Sequence, residues 1–176
     1  MSPSTIPTPS EYRARPVDRL IPAYRSGVEQ IDRRVLQLDA KQADTFFLPE
    51  ASVGRWSCRV LLGHVADAEL AYSHRMRRIA AEEHPVLASW DENAFVDAGL
   101  YARQPVAGSV ALVHTLRLWT GEWLETLPPS AWERSALHPE FGSLTLHDVL
   151  ATAVWHIEHH ARFLALKLDR LLGPSA

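Results

Sequence analysis

The sequence predicts an all-α protein, specifically a four-helix bundle. Four long stretches carry apolar residues at every third or fourth position, the spacing that places them on one face of a helix. No stretch of useful length alternates apolar and polar residues, so no strand is predicted. A chain of 176 residues, 47% of them hydrophobic, can build one domain with its own core. We therefore expect a flexible N-terminal tail over residues 1–16 and a single bundle over residues 17–176.

The first two helices are predicted over residues 17–38 and 57–80. Prolines are frequent in residues 1–16, and they remove backbone donors, which predicts an extended and mobile lead-in. Pro22 falls near the start of the first helix, where its missing N–H is tolerated. Ser57 is a suitable N-cap for the second helix. His64 shares the apolar stripe of this second helix, so its side chain is expected to face the core.

The third and fourth helices are predicted over residues 106–127 and 146–172. Pro128 and Pro129 end the third helix, while Thr145 with Asp148 resembles a capping box at the start of the fourth. The connections over residues 81–105 and 128–145 are long for a bundle. Long loops in compact domains are usually functional or form a crossover.

Composition and charge exclude several kinds of partner. The chain has 18 Lys and Arg against 21 Asp and Glu, a formal charge of −3, so we expect no nucleic-acid binding. We expect no membrane partner, because no apolar run reaches roughly 18 residues and the first residues lack the features of a secretory signal. Cys58 is the only cysteine, which favours a reducing, cytoplasmic location. The helix dipole is expected to lower the pKa of this thiol in the first turn of its helix.

Three histidines form a candidate metal site. His156 and His160 lie four residues apart on one helix face, so both imidazoles can reach one ion. His64 lies on the inward face of another helix. Three protein ligands leave a fourth position for water or a substrate, which is the catalytic rather than the structural pattern. The alternative interpretation is that these are ordinary core histidines.

Other chemistries are excluded by their motifs. The segment from His156 to His160 is not HExxH, because its Glu158 lies two residues after the first histidine. No histidine has a glutamate three residues before it, so a ferritin-like di-iron site is excluded. The GxSxG nucleophile motif of the α/β hydrolases is absent.

Three groups of residues, in order from about residue 55 to residue 165, complete the pattern. They are Arg55-Trp56-Ser57 with Gly63-His64-Val65-Ala66-Asp67; Trp90-Asp91-Glu92-Asn93-Ala94-Phe95; and His138-Pro139 with Gly142, Thr145, Trp155-His156 and His159-His160. Together they resemble the DinB/YfiT-like family. The second group looks like a YDENAW-type loop, with Trp90 where that branch tends to have tyrosine.

The resemblance implies an up-down-down-up four-helix bundle with a long crossover between helices 2 and 3. It implies a divalent metal, most often Ni or Zn, held by three histidines at the positions of His64, His156 and His160. Family members are described as metal-dependent hydrolases, or as transferases and isomerases that use a low-molecular-weight thiol such as bacillithiol. The resemblance also implies a homodimer.

The remaining candidates lie around this triad. Trp90, Asp91, Glu92 and Asn93 are expected to line the pocket, with Asp91 or Glu92 as a general base or as the anchor of a thiol's ammonium group. His138 lies in the other long loop. Asp67 and His159 are candidates for supporting the ligands, Asp67 by a hydrogen bond to a ligating imidazole. The alternatives are a surface salt bridge for Asp67 and a surface position for His159.

The expected function is a metal-dependent enzyme that acts on a small molecule and activates a thiol (S-transferase) or water (hydrolase). A solvated acidic turn and a proline-rich turn are the alternative interpretations of the two loops. A non-enzymatic metal-binding or stress-response bundle is the alternative for the whole chain.

Overall fold

The computed structural model describes residues 8–175, and four of its helices form a four-helix bundle. The elements are helices α1 (Pro9–Arg13), α2 (Val17–Ser26), α3 (Ala40–Ala43), α4 (Cys58–Ala81), α5 (Glu92–Asp97), α6 (Val106–Leu124) and α7 (Leu146–Leu172), with strands β1 (Ser135–His138) and β2 (Gly142–Thr145). The bundle consists of α2, α4, α6 and α7. Both α2 and α4 pack against α6 and α7. None of the helices within residues 8–175 is both long enough and apolar enough to cross a membrane.

The predicted bundle is confirmed, and two of its helices have nearly the predicted bounds. The Ser57 side chain accepts a hydrogen bond from the Val60 amide and starts α4. Thr145 and Asp148 form the predicted capping box of α7. The first predicted helix, in contrast, ends at Ser26 and continues as two 3₁₀ turns, Gly27–Gln30 and Arg33–Gln37. Asp32 caps the second turn by accepting from the Arg34 amide, which interrupts the helical hydrogen-bond series.

The N-terminal segment differs from the expected lead-in. Residues 9–13 form α1, which packs against α7. Tyr12 is buried there, and its hydroxyl donates a hydrogen bond to Glu158. Burial of this aromatic ring stabilises the short helix, so the expected extended stretch is wrong for these residues. The same expectation for residues 1–7 lies outside the described residues.

The two long connections hold structure that the sequence pattern did not predict. Residues 135–138 and 142–145 form an antiparallel hairpin in which His138 pairs with Gly142. Leu137 extends this pairing by exchanging backbone hydrogen bonds with Pro85 and Leu87 of the other connection. The prediction of no strands is therefore wrong here, because four-residue strands are too short to show a clear period. The other connection contains the short helix α5.

A buried ion pair crosses the centre of the bundle. The Arg117 guanidinium on α6 donates to Glu69 on α4 at 2.8 Å, and both side chains are at most 2% exposed. Arg117 also donates to the carbonyl oxygens of Tyr24 on α2 and Ala153 on α7. The Tyr24 hydroxyl donates to the same Glu69 carboxylate. One buried cation thus connects all four helices of the bundle.

Gly27 makes room for this cation. A Cβ atom at position 27 would lie 2.2 Å from Arg117 Nη1, closer than any real contact. The absence of a side chain at this residue is therefore a packing requirement of the ion pair, not of the local backbone.

We expect Arg117→Met to lower the free energy of unfolding by about 3–5 kcal/mol, because it leaves the Glu69 carboxylate buried without its cation. Urea denaturation measures this change. The control is Glu125→Gln, which breaks the exposed Arg25–Glu125 pair and should change stability by less than about 1 kcal/mol. Equal effects of the two substitutions would show that the buried pair does not hold the bundle together.

Candidate metal centre

The three predicted histidines meet between α4 and α7. Each of them can place one ring nitrogen within 4.8 Å of a nitrogen of the other two. The Nε2 atoms of His64 and His156 are 3.1 Å apart. The ring centroids of His156 and His160 are separated by 4.4 Å, as expected for neighbours one helical turn apart. The spacing in the sequence therefore predicted the cluster correctly.

Burial keeps these imidazoles neutral at neutral pH. It lowers the pKa of His160 to about 3, with a further contribution from His64. It also holds the pKa of His156 well below its usual range, and the neighbouring His160 and His64 act in the same direction. The pKa of His64 is lowered by burial too, although the charges of Glu92 and Asp67 oppose the shift. Neutral imidazole is the protonation state that binds a metal ion.

The donor set fits a divalent transition-metal ion. Two nitrogen ligands of one tetrahedral zinc ion are roughly 3.3 Å apart, given Zn–N bonds of about 2.0–2.1 Å. The 3.1 Å between His64 Nε2 and His156 Nε2 is close to that separation. Imidazole suits Zn, Ni, Cu and Fe, whereas Mg and Ca prefer oxygen ligands. His64, His156 and His160 are thus the residues that can hold such an ion.

Aromatic rings pack around the three histidines. The Trp56 ring lies 5.0 Å from His64 and stacks on His160 at 6.4 Å, while Tyr72 lies 5.5 Å from His156. His64 Nδ1 is buried and has no hydrogen-bond partner among residues 8–175. The expected bond from Asp67 to a ligating imidazole is wrong, because Asp67 accepts from the Tyr101 hydroxyl at 2.8 Å instead.

A cavity of about 380 Å³, here called the polar chamber, opens beside the triad. The predicted residues Trp90, Glu92 and His138 line it together with the three histidines. Sequence reasoning missed other members of its wall: Trp56, Tyr72, Arg75, Ser89, Phe141 and Trp155. Four of these left a signal: Trp56 and Trp155 belong to the motifs that carry the family resemblance, and Tyr72 and Arg75 continue the helix face of His64 at steps of eight and eleven residues.

His138 is held in one tautomer within the polar chamber. Its Nδ1 accepts a hydrogen bond from the Glu140 amide at 3.2 Å, and the side chain is 2% exposed. Burial lowers the pKa of His138, and the nearby Arg75 charge acts in the same direction. A neutral ring that accepts at Nδ1 carries its proton on Nε2. His138 is therefore a hydrogen-bond donor in the wall of the chamber.

The other predicted residues have different positions. Asp91 is exposed and caps α5 by accepting from the amides of Asn93 and Ala94, so the structure does not place it in the chamber wall. Asn93 lies at a second cavity and accepts a hydrogen bond from Arg55. His159, expected to support the ligands, lines both cavities, and its ring centroid lies 5.1 Å from that of His160.

The second cavity, here called the apolar chamber, has a volume of about 280 Å³. Its wall includes Trp56, Phe163 and Lys167. Lys167 is 1% exposed, and its ammonium group donates to the carbonyls of residues 53 and 54 at 2.6 Å. Burial lowers the pKa of Lys167 to about 8.

Cys58 also differs from expectation. Burial raises the pKa of the Cys58 thiol to about 11, so the expected lowering by the helix dipole is wrong.

Comparison with known proteins gives a consistent result. The model of the DinB superfamily matches residues 5–164. A protein from Oceanobacillus iheyensis is 29% identical to this chain, and the alignment covers 72% of this chain and 70% of that protein. YfiT from Bacillus subtilis is 30% identical, and the alignment covers 69% of this chain and 68% of YfiT. Both carry the name "putative metal-dependent hydrolase". The solved structure of YfiT, described as an unusual four-helix bundle, has a TM-score of 0.78 at 24% identity and covers 99% of this chain and 95% of its own.

The lowered pKa of Lys167 predicts a rise in stability at alkaline pH. Between about pH 8 and the ordinary lysine value of 10.5, the unfolded chain binds a proton that the folded chain has lost. The free energy of unfolding of the parent should therefore increase by up to about 3 kcal/mol relative to Lys167→Met across this range. Urea denaturation at several pH values measures the difference. Lys41→Met, at an exposed lysine, is the control for loss of one charge. A constant difference for Lys167→Met would contradict the prediction.

Proposed function

This chain belongs to the DinB superfamily, and we propose that it is a divalent-metal-dependent enzyme whose ion is bound by His64, His156 and His160. The observation that carries the proposal is the meeting of three neutral imidazoles at the wall of the polar chamber. The names of the relatives support it, since they describe metal-dependent hydrolases. Nickel and zinc are the proposed metals, because three neutral nitrogen ligands suit both.

We propose that the activated group is a low-molecular-weight thiol of the bacillithiol type. A bound divalent ion lowers the pKa of a thiol or water that it coordinates, which provides a nucleophile at neutral pH. The polar chamber is larger than a water molecule requires, and it carries charges of both signs, from Arg75 and from Glu92 and Glu140. Such a wall suits a small zwitterionic thiol, with its carboxylate at Arg75 and its ammonium group at Glu92.

The chain's own residues then have distinct roles in this proposal. His138 Nε2 donates a hydrogen bond to an anionic group of the substrate. Arg75, which lies over the ring of Trp90 at 5.3 Å, binds the carboxylate. Trp56 and Tyr72 cover the imidazoles on two sides and exclude water from them. The proton of the thiol passes to solvent.

Hydrolysis is the second candidate. The names of the relatives favour it, and the same triad could activate water as readily as a thiol. The two candidates differ in what the polar chamber binds: the transferase requires an anchored thiol, whereas the hydrolase requires only water and the substrate.

We expect the untagged parent protein to bind about one Zn or Ni ion per chain after incubation with either metal. His64→Ala, His156→Ala and His160→Ala should each lose most of this metal, as measured by elemental mass spectrometry. His147→Ala, on the same helix but outside the walls of both cavities, is the matched control and should retain it. A parent without metal, or triad variants that still bind a full equivalent, would contradict the proposed metal centre.

The nucleophile is tested with the zinc- or nickel-loaded protein and a simple electrophile, 1-chloro-2,4-dinitrobenzene. We expect consumption of bacillithiol or cysteine above the background of His156→Ala, which lacks a ligand. Arg75→Gln should raise the KM for cysteine more than the KM for the uncharged 2-mercaptoethanol, because only cysteine has a carboxylate to bind. Hydrolysis of 4-nitrophenyl acetate that depends on the metal, without any thiol transfer, would instead favour the hydrolase.

A further inference from the structure

We propose that the apolar chamber binds a flat, ring-sized apolar group of a second substrate, the electrophile that receives the thiol. This inference rests on the proposed function, because it adds a binding site for the reaction partner of the thiol. Its support comes from three features of the chamber: its position beside the triad, its size, and the state of the polar groups in its wall.

The two chambers share a wall at the metal centre. Trp56, His159 and His160 line both of them. A molecule in either chamber is therefore next to His160, one of the three ligands. Two substrates that must react at one ion need this arrangement, since each has its own site and both reach the same point. A hydrolase does not need a second binding site for an organic substrate, because its second reactant is water.

The size of the apolar chamber suits one or two fused rings. An engineered cavity of about 150 Å³ is enough to bind benzene in another protein. The apolar chamber is larger, about 280 Å³, and it is lined by the rings of Trp56 and Phe163 and by Leu61. Aromatic walls bind flat apolar groups by stacking and by removing them from water.

The charged groups of this chamber are already engaged. The Lys167 ammonium group donates to two backbone carbonyls, and Arg55 at the exposed edge donates to Asn93 at 3.1 Å. A charged ligand would have to displace these bonds, whereas an apolar ligand leaves them intact. His159 Nδ1 is buried without a hydrogen-bond partner among residues 8–175, so a ring substituent could bond to it.

The reaction that this arrangement serves is a substitution. The thiolate sulfur attacks an electrophilic carbon attached to the bound ring, and a new S–C bond forms. The bond from that carbon to the leaving group breaks, and the leaving group departs with the electron pair. The proton lost by the thiol goes to solvent, so no oxidant or reductant is required.

Indole, an uncharged molecule of two fused rings, is the probe that tests the inference. Calorimetric titration of the metal-free protein should show saturable binding of one indole per chain. Phe163→Ser should weaken this binding at least tenfold. Leu166→Ser, at an exposed leucine on the same helix, is the matched control and should leave it unchanged. Asn93→Glu, at an exposed position in the chamber wall, adds a charge beside the bound ring without replacing a buried residue, and should also weaken binding.

A second titration tests whether the chambers are separate. In the zinc-loaded protein, saturating cysteine should leave the dissociation constant of indole within about twofold, because two sites allow a ternary complex. Absence of saturable indole binding, equal binding by Phe163→Ser and Leu166→Ser, or competition between cysteine and indole would each overturn the inference. The metal-free titration does not depend on the metal centre, so loss of metal binding alone would contradict only the proposed function.

Discussion

The buried ion pair of Glu69 and Arg117 is the constraint on which the rest of the structure depends. A guanidinium and a carboxylate in the core are stable only when every donor and acceptor has a partner, so the four helices can adopt few relative positions. Glu69 lies five residues after His64, and Arg117 donates to the carbonyl of Ala153, three residues before His156. The ion pair therefore fixes the axial position of α4 relative to α7, about one helical turn from the histidines. The three histidines are thus brought together by the Glu69–Arg117 ion pair, which includes none of them.

Burial gives the candidate metal centre its chemical character. The imidazoles stay neutral because the surrounding rings remove them from water, and Arg117 adds to the effect on His156. Neutral ligands leave the full positive charge of a bound divalent ion uncompensated within the triad, which strengthens its effect on a bound thiol or water. The charges of Glu92 and Asp67 act against burial at His64, but burial prevails and the pKa of His64 stays lowered. The same desolvation that favours metal binding thus also favours activation of a nucleophile.

The sequence predicts the helices, which depend on local periodicity, but not the contacts between segments that are distant in the chain. The bounds of α4 and α7 and the triad itself follow from apolar spacing, because long amphipathic helices repeat their signal over many turns. The hairpin of residues 135–145 has no such repetition, and its pairing with Leu87 depends on a contact about 50 residues away in the chain. Asp91 was expected in the pocket, but an aspartate directly before a short helix is a typical N-cap. Helical spacing places Lys167 on the same face as His160 and Phe163, but its two partners could not be predicted, since they are backbone carbonyls of a distant loop.

The bundle and the two long connections contribute different parts of the candidate site, because the connections pair with each other beside the bundle. The bundle supplies the three histidines from α4 and α7; His64 is buried, and His156 and His160 are half-buried. The connections pair through Leu137 with Pro85 and Leu87, and this pairing anchors the segments that carry Trp90, Glu92 and His138 over the triad. Changes in these segments alter the polar chamber without moving the ligands, because loops tolerate substitution better than a packed core. In the proposed enzyme, the paired connections therefore determine which substrate is bound, whereas the bundle supplies the residues that would hold the metal.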